Sequence, residues 1–147
     1  VGESGNMFFG TYTHHIDDKN RLTLPSKIAT ELSKTVVVSR GFDSCLELRT
    51  LEEFKKYSEV LNSYSSNKKE TRMFVRAILP NASKITIDNA KRILIPANLL
   101  QQASIKNEVT IIGVGNKIEI WDSDTYAAYK EKADQLYEEI AERLDND

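Results

Sequence analysis

Aspartate and arginine recur four residues apart at two places in the chain, as Asp17 with Arg21 and as Asp88 with Arg92. A carboxylate at the start of a turn accepts backbone N–H bonds. A guanidinium offers a planar fork of donors that matches a guanine edge or a phosphate. The chemistry open to such a pair is recognition through hydrogen bonds, not bond making. Lys19 and Lys91 lie inside the two phrases and add point charges suited to phosphate. Asn20 tolerates the left-handed backbone of a tight turn. Two readings stay open: an ion pair that only fixes the turn, or an aspartate that positions an arginine for an external contact. A carboxylate repels phosphate, so Asp17 and Asp88 read as turn-structuring. Lys19, Asn20, Arg21, Lys91 and Arg92 are the candidate contacts to a guanine edge or a phosphate.

The elements that must hold these residues are themselves repeated. IDDKNRLTLPSKI, from Ile16, and IDNAKRILIPANL, from Ile87, align at an offset of 71, and Pro25 falls on Pro96. Ile85 and Ile87, then Ile93 and Ile95, alternate with polar residues as half-buried strands do. Each proline ends a strand and suits the first turn of a helix, where no N–H is missed. SKIATELS then TVVVS in the first copy match ANLLQQASI then VTIIG in the second. The offset grows to 72, Gly41 meets Gly113, and Leu46 and Leu48 meet Ile118 and Ile120. Gly41, Gly113 and Gly115 read as hairpin turns, since no phosphate-loop lysine follows them.

Helix signals follow each copy. Thr50 with Glu53 forms a capping box before Leu51, Phe54, Tyr57 and Leu61. Asn67 with Glu70 has the same spacing, and Pro80 stops that helix. Asp122 or Ser123 caps a last helix with Tyr126, Ala133, Tyr137, Ile140 and Leu144 on one stripe. A repeat of about 70 residues buries too little apolar surface alone, so two repeats are expected to pair their sheets around one core. Residues 1–6 read as a vector-derived scar, 7–79 as the first half with a connecting helix, and 80–147 as the second half with a C-terminal helix.

Composition narrows the function classes. No apolar run approaches the ~20 residues that span a bilayer. The single Cys45 excludes an internal disulfide and suits a buried apolar position in a cytoplasmic protein. The net charge of −2 is uneven: Lys130–Asp147 holds seven acidic against three basic residues, whereas Met7–Tyr129 holds seventeen basic against fourteen acidic. A mildly basic body is compatible with a phosphate-facing surface. Lys68, Lys69, Arg72 and Arg76 cluster on the connecting helix, as a solvated face, a subunit interface or a phosphate contact. His14 and His15 are adjacent, so in a strand they point to opposite faces and cannot share a metal. No nucleophile–base pair, HExxH or CxxC phrase occurs. No enzymatic activity, metal, cofactor or small-molecule substrate is expected.

The phrase Asp-x-x-x-Arg, aliphatic, x, aliphatic, Pro resembles the AbrB/MazE/SpoVT-type transcription factor modules. Two copies, with MFFGTYTHHIDDKNRLTLPSKI, GFDSCLEL, ILIPANLL and IGVGNKIEIWD, resemble the MraZ family of bacterial regulators over Met7–Leu144. The resemblance implies an α+β fold with a double-split, swapped-hairpin β-barrel core capped by helices. It implies a homo-oligomeric ring, associated with the nucleoid, that binds repeated DNA boxes upstream of the division and cell wall genes. That family usually has Lys-Gly-Arg at the end of each turn. Lys19-Asn20-Arg21 stays close to the pattern and Ala90-Lys91-Arg92 departs from it, so the main reading role is expected on Asp17–Arg21. The alternative is an antitoxin-like scaffold that binds a protein through its helices, with DNA binding secondary. It calls for a long disordered tail, and none is expected after the last helix.

Overall fold

The computed structural model describes residues 7–145; the reading of residues 1–6 lies outside them. The first copy gives β1 (Thr11–His15), β2 (Arg21–Thr23), α1 (Ser26–Ala29), β3 (Thr35–Arg40), β4 (Leu46–Thr50) and α2 (Leu51–Ser63). Helix α3 (Lys69–Ile78) and a 3-10 turn (Leu79–Asn81) connect it to the second. That copy gives β5 (Ser83–Thr86), β6 (Arg92–Leu94), α4 (Ala97–Gln102), β7 (Glu108–Gly113), β8 (Ile118–Asp122), α5 (Ser123–Gln135) and α6 (Tyr137–Asp145). The fold is α+β. Six strands form one antiparallel sheet in the order β1-β7-β8-β4-β3-β5, and β2 with β6 forms a separate ribbon.

The copies are interlocked. β1 pairs with β7 and β5 pairs with β3, so each copy lends its first strand to the other. β2 meets β6 with Leu22 opposite Ile93, and β4 meets β8 with Glu47 opposite Glu119. Both pairs are repeat equivalents, so a local two-fold axis passes between them. The inner faces obey strand alternation: Leu22, Leu24, Ile93 and Ile95 of the ribbon close over Val36, Val38, Leu46, Leu48, Val109, Ile111, Ile118 and Ile120.

The outer face of β4 and β8 is also covered, by α2 and α5. There Glu47 is 1% exposed and Arg49 5%. Arg49 Nη1 donates to Glu47 Oε1 at 2.7 Å, Lys117 Nζ lies 3.3 Å from Glu47 Oε2, and the Arg49 guanidinium sits 3.8 Å above the Tyr57 ring. The second copy repeats the plan with different chemistry. Trp121 Nε1 donates to Glu119 Oε1 at 3.0 Å, and Trp121 packs on Tyr129 at 5.0 Å. A cation–π contact in one copy thus matches an aromatic pair in the other.

Several local expectations are met and others corrected. Thr50 Oγ1 accepts the Glu53 N–H at 3.2 Å, and Asp122 caps α5 through the Thr125 N–H at 3.4 Å. Asn67 is not a cap. α3 starts after Lys68 with no side-chain cap; Ser65 Oγ accepts the Asn67 N–H, and the Ser66 carbonyl accepts Arg72 Nη1. The last helix is two helices. Leu136, at ψ 0°, breaks the run, and Tyr137, Ile140 and Leu144 stay exposed. In the β3–β4 hairpin the left-handed residues are Asp43 and Ser44, not Gly41. Gly41 is required for space, since a Cβ there would lie 2.8 Å from Cys45 Sγ. Cys45 is buried, and burial together with the nearby Glu119 and Glu47 carboxylates raises its thiol pKa.

Candidate nucleic-acid interface

The two charged turns are built alike. In the first, the Asp17 N–H donates to the Arg21 carbonyl at 2.9 Å and the Asn20 N–H donates to the Asp17 carbonyl at 3.1 Å. Asp17 Oδ1 accepts the Lys19 and Arg21 N–H groups at 2.9 and 2.8 Å, and Oδ2 accepts Arg21 Nε at 2.8 Å. In the second, Asp88 N–H to Arg92 carbonyl is 3.0 Å and Lys91 N–H to Asp88 carbonyl is 2.9 Å. Asp88 Oδ1 accepts Ala90 and Arg92 N–H at 2.9 and 2.8 Å, and Oδ2 accepts Arg92 Nε at 2.9 Å. Asn20 has φ 62° and Lys91 φ 64°. The departure from the family pattern at Lys91 therefore leaves the turn geometry unchanged.

A lysine in the left-handed region costs about 1–2 kcal/mol relative to the right-handed backbone. Glycine avoids that strain but loses about 0.5–1 kcal/mol in chain entropy. Lys91→Gly is therefore expected to raise unfolding stability by about 0.5–1 kcal/mol, read as a higher urea midpoint at constant m-value.

The backbone N–H of Arg21 is the main cause holding the Asp17 carboxyl below its ordinary pKa, and that of Arg92 does the same for Asp88. A depressed carboxylate pKa stabilises the folded turn above the unfolded value of about 3.9, and that contribution is lost as pH falls through the lower folded value. Both turns are expected to persist at pH 5 and to open only below the usual carboxylate range. A carboxyl-carbon NMR titration would show it; either aspartate titrating at or above its ordinary pKa would contradict the geometry.

The ribbon brings the turns together. Arg21 lies opposite Leu94 and Thr23 opposite Arg92. With Leu22 and Ile93 buried, strand alternation puts Arg21, Thr23, Arg92 and Leu94 on the outer face. The arginines are diagonal neighbours, with Cα atoms about 7–8 Å apart. Their register is locked by reciprocal bonds from the Leu24 N–H to the Lys91 carbonyl and from the Ile95 N–H to the Asn20 carbonyl, 2.8 and 2.9 Å. Each arginine spends only Nε on its aspartate; its terminal nitrogens make no hydrogen bond among the described residues. Lys19 and Lys91 are exposed beside them.

Other candidates fall elsewhere. His14 Nδ1 lies 2.6 Å from the Thr23 carbonyl, while His15 is exposed. Among the described residues no group of His, Cys, Asp and Glu could hold a metal ion, and no helix is long and apolar enough to cross a membrane. Sequence reasoning missed the convergence of both arginines on one face. It also missed the buried Glu47–Arg49–Lys117 cluster. The available signal was Glu47 and Arg49 two residues apart, on the strand face that a helix capped at Thr50 must fold back over.

The repeated strand–turn–strand unit with its reciprocal strand exchange defines an α+β protein made of two tandem copies of one turn-presenting module. A family described as "MraZ protein, putative antitoxin-like" matches twice, over residues 7–77 and 78–147. The chain belongs to the MraZ family. It is 45% identical over 141 residues to a protein of Mycoplasmoides gallisepticum, covering 96% of this chain and 99% of that protein. It is 48% identical over 139 residues to a protein of Mesoplasma florum, covering 94% and 95% respectively. Both relatives are named Transcriptional regulator MraZ.

Proposed function

We propose that the chain is a sequence-specific, DNA-binding transcriptional regulator, not an enzyme, that works on the nucleoid as a homo-oligomeric ring. The observation that carries this reading is the pair of arginines on one outward ribbon face, each held by its own aspartate with its terminal nitrogens unused. The names of the two relatives support the regulatory role. A two-stranded ribbon fits a major groove about 12 Å wide, where arginine forms bidentate bonds to guanine. Lys19, Asn20 and Lys91 would hold flanking phosphates and fix the register. The exchange of β1 and β5 between copies supports reading the core as a swapped-hairpin, double-split barrel.

In this reading one ribbon reads one short box, and a ring of copies reads boxes repeated in a promoter, that of the division and cell wall gene cluster. Linking modules raises affinity by about 10²–10⁴-fold over a single contact. The test is fluorescence anisotropy with DNA selected by the protein from a random pool, against scrambled DNA, at two salt concentrations. The affinity should fall with salt at a slope of about −0.9 per phosphate neutralised. Equal binding of selected and scrambled DNA would defeat the sequence-specific reading. The antitoxin-like scaffold is the second reading, favoured by the exposed apolar residues of α6; it predicts capture of a protein by α6 with the ribbon arginines dispensable.

A further inference from the structure

The outer face of the ribbon is two-fold symmetric in its arginines and not in the residues beside them. The buried pair Leu22–Ile93 marks the local axis, which relates Arg21 to Arg92. The same operation carries Thr23 onto Leu94. Arg21 therefore stands across from a leucine and Arg92 across from a threonine. The bonds from the Leu24 and Ile95 N–H groups make 24–91 and 20–95 the hydrogen-bonded positions. Arg21–Leu94 and Thr23–Arg92 then fall at the narrow, non-hydrogen-bonded positions, with Cα atoms about 4.5 Å apart and side chains close together.

Leu94 is 58% exposed, whereas Ile93 and Ile95 on either side of it turn into the core. With Pro96 it lines a groove against Ile85 and Thr86 of β5, which backs it without covering it. It is an aliphatic side chain held out on a face otherwise made of two arginines and a threonine. Leucine neither donates nor accepts a hydrogen bond. It is poorly matched to a phosphate, and it would leave the polar edge of a guanine, adenine or cytosine unpaired. In the major groove one base presents an apolar group, the C5-methyl of thymine. Threonine is less selective, because its hydroxyl suits polar edges and its methyl suits thymine.

We propose that Leu94 is a specificity-determining residue that contacts the methyl group of a thymine next to the guanine held by Arg21, on one half of the box only. The inference rests on the DNA reading above and adds to it a base and a direction. A face of full two-fold symmetry binds its site equally in both orientations, as palindromic operators mirror two-fold proteins. With Leu94 on one side and Thr23 on the other, the ribbon binds its box in one orientation. The turns are unequal as well, since Lys19 and Asn20 answer to Ala90 and Lys91.

The test uses the full chain and double-stranded DNA enriched by it from a random pool. The enriched box should carry guanine in both halves and thymine beside only one of them. Replacing that thymine by deoxyuridine removes the methyl and nothing else. Measured by fluorescence anisotropy, it should lower affinity about 4-fold for each box altered, the worth of one buried methyl-sized group. Leu94→Thr should bind the thymine and deoxyuridine boxes equally and enrich a box without that thymine. Its circular dichroism spectrum should be unchanged, because the other strand already carries threonine at this place. Thr23→Leu should enrich thymine in both halves. The proposal is overturned if deoxyuridine costs nothing with the unchanged chain, if Leu94→Thr keeps the thymine preference, or if the enriched box is palindromic. An enriched box indifferent to the methyl removes the role of Leu94 and leaves the arginine reading standing, whereas no enrichment at all removes both.

Discussion

Arg21→Ala is expected to abolish sequence-specific DNA binding while leaving the fold and the assembly intact. A bidentate arginine–guanine contact contributes about 1–3 kcal/mol of discrimination, so each module should lose about 5- to 150-fold in specific affinity. Modules joined in one assembly multiply such losses, and binding should fall to the level of scrambled DNA. Arg92→Ala should cost about as much as Arg21→Ala, because the two turns share one hydrogen-bond plan. Arg21→Lys separates charge from geometry: lysine retains the phosphate attraction but cannot make the fork. It should retain salt-dependent, non-specific binding and lose the preference for selected DNA. Anisotropy titrations of the three variants decide the matter. Arg21→Ala binding selected DNA as tightly as the unchanged chain would remove the ribbon from the interface.

Glu47→Ala carries the largest expected loss of stability. Its carboxylate takes Arg49 Nη1 on one oxygen and faces Lys117 Nζ on the other, beneath α2. Removing one member of a buried pair leaves an uncompensated charge and typically costs about 3–5 kcal/mol. Two cations would lose their partner here. Glu119→Ala, at the equivalent site, removes only an acceptor for the Trp121 indole N–H. It should cost about 1 kcal/mol, the net worth of an ordinary hydrogen bond. Guanidinium unfolding of both variants measures the contrast. Equal midpoints would show that the charged cluster adds nothing beyond its equivalent in the other copy.

The parts of this molecule legible in its sequence are those set by short-range chemistry. Asp17 and Asp88 organise turns because a carboxylate two to four residues from N–H donors can reach them in any fold. Thr50 and Asp122 cap for the same reason. Asn67 misleads because spacing alone does not fix the first residue of a helix: α3 begins one residue later, with Lys68 in the cap position. Lys91 is read as a disruption because propensity disfavours it at positive φ, yet the bonds around Asp88 hold it there. Long-range pairing is a different matter. β1 and β5 hold equivalent places in the two repeats, and alternation within a strand does not tell which of β3 and β7 each will meet. The shared outer face of Arg21 and Arg92 depends on that pairing and on the ribbon register, and neither is written in the local pattern.

The reciprocal exchange of β1 and β5 also sets a timetable. Thr11 pairs with Ile112 and His15 with Glu108, so β1 lacks its partner β7 until about three-quarters of the chain is made. At ribosomal rates of about 5–20 residues per second, the N-terminal strand waits several seconds for its place in the sheet. Non-local pairing of this kind also folds slowly once the chain is free, on a millisecond-to-second scale. Until the second copy is made, the ribbon strand β2 lacks its partner β6 and β3 lacks its partner β5. The interval between translation of β1 and of β7 is when a chaperone, or a second nascent chain offering its own β7, competes for that strand.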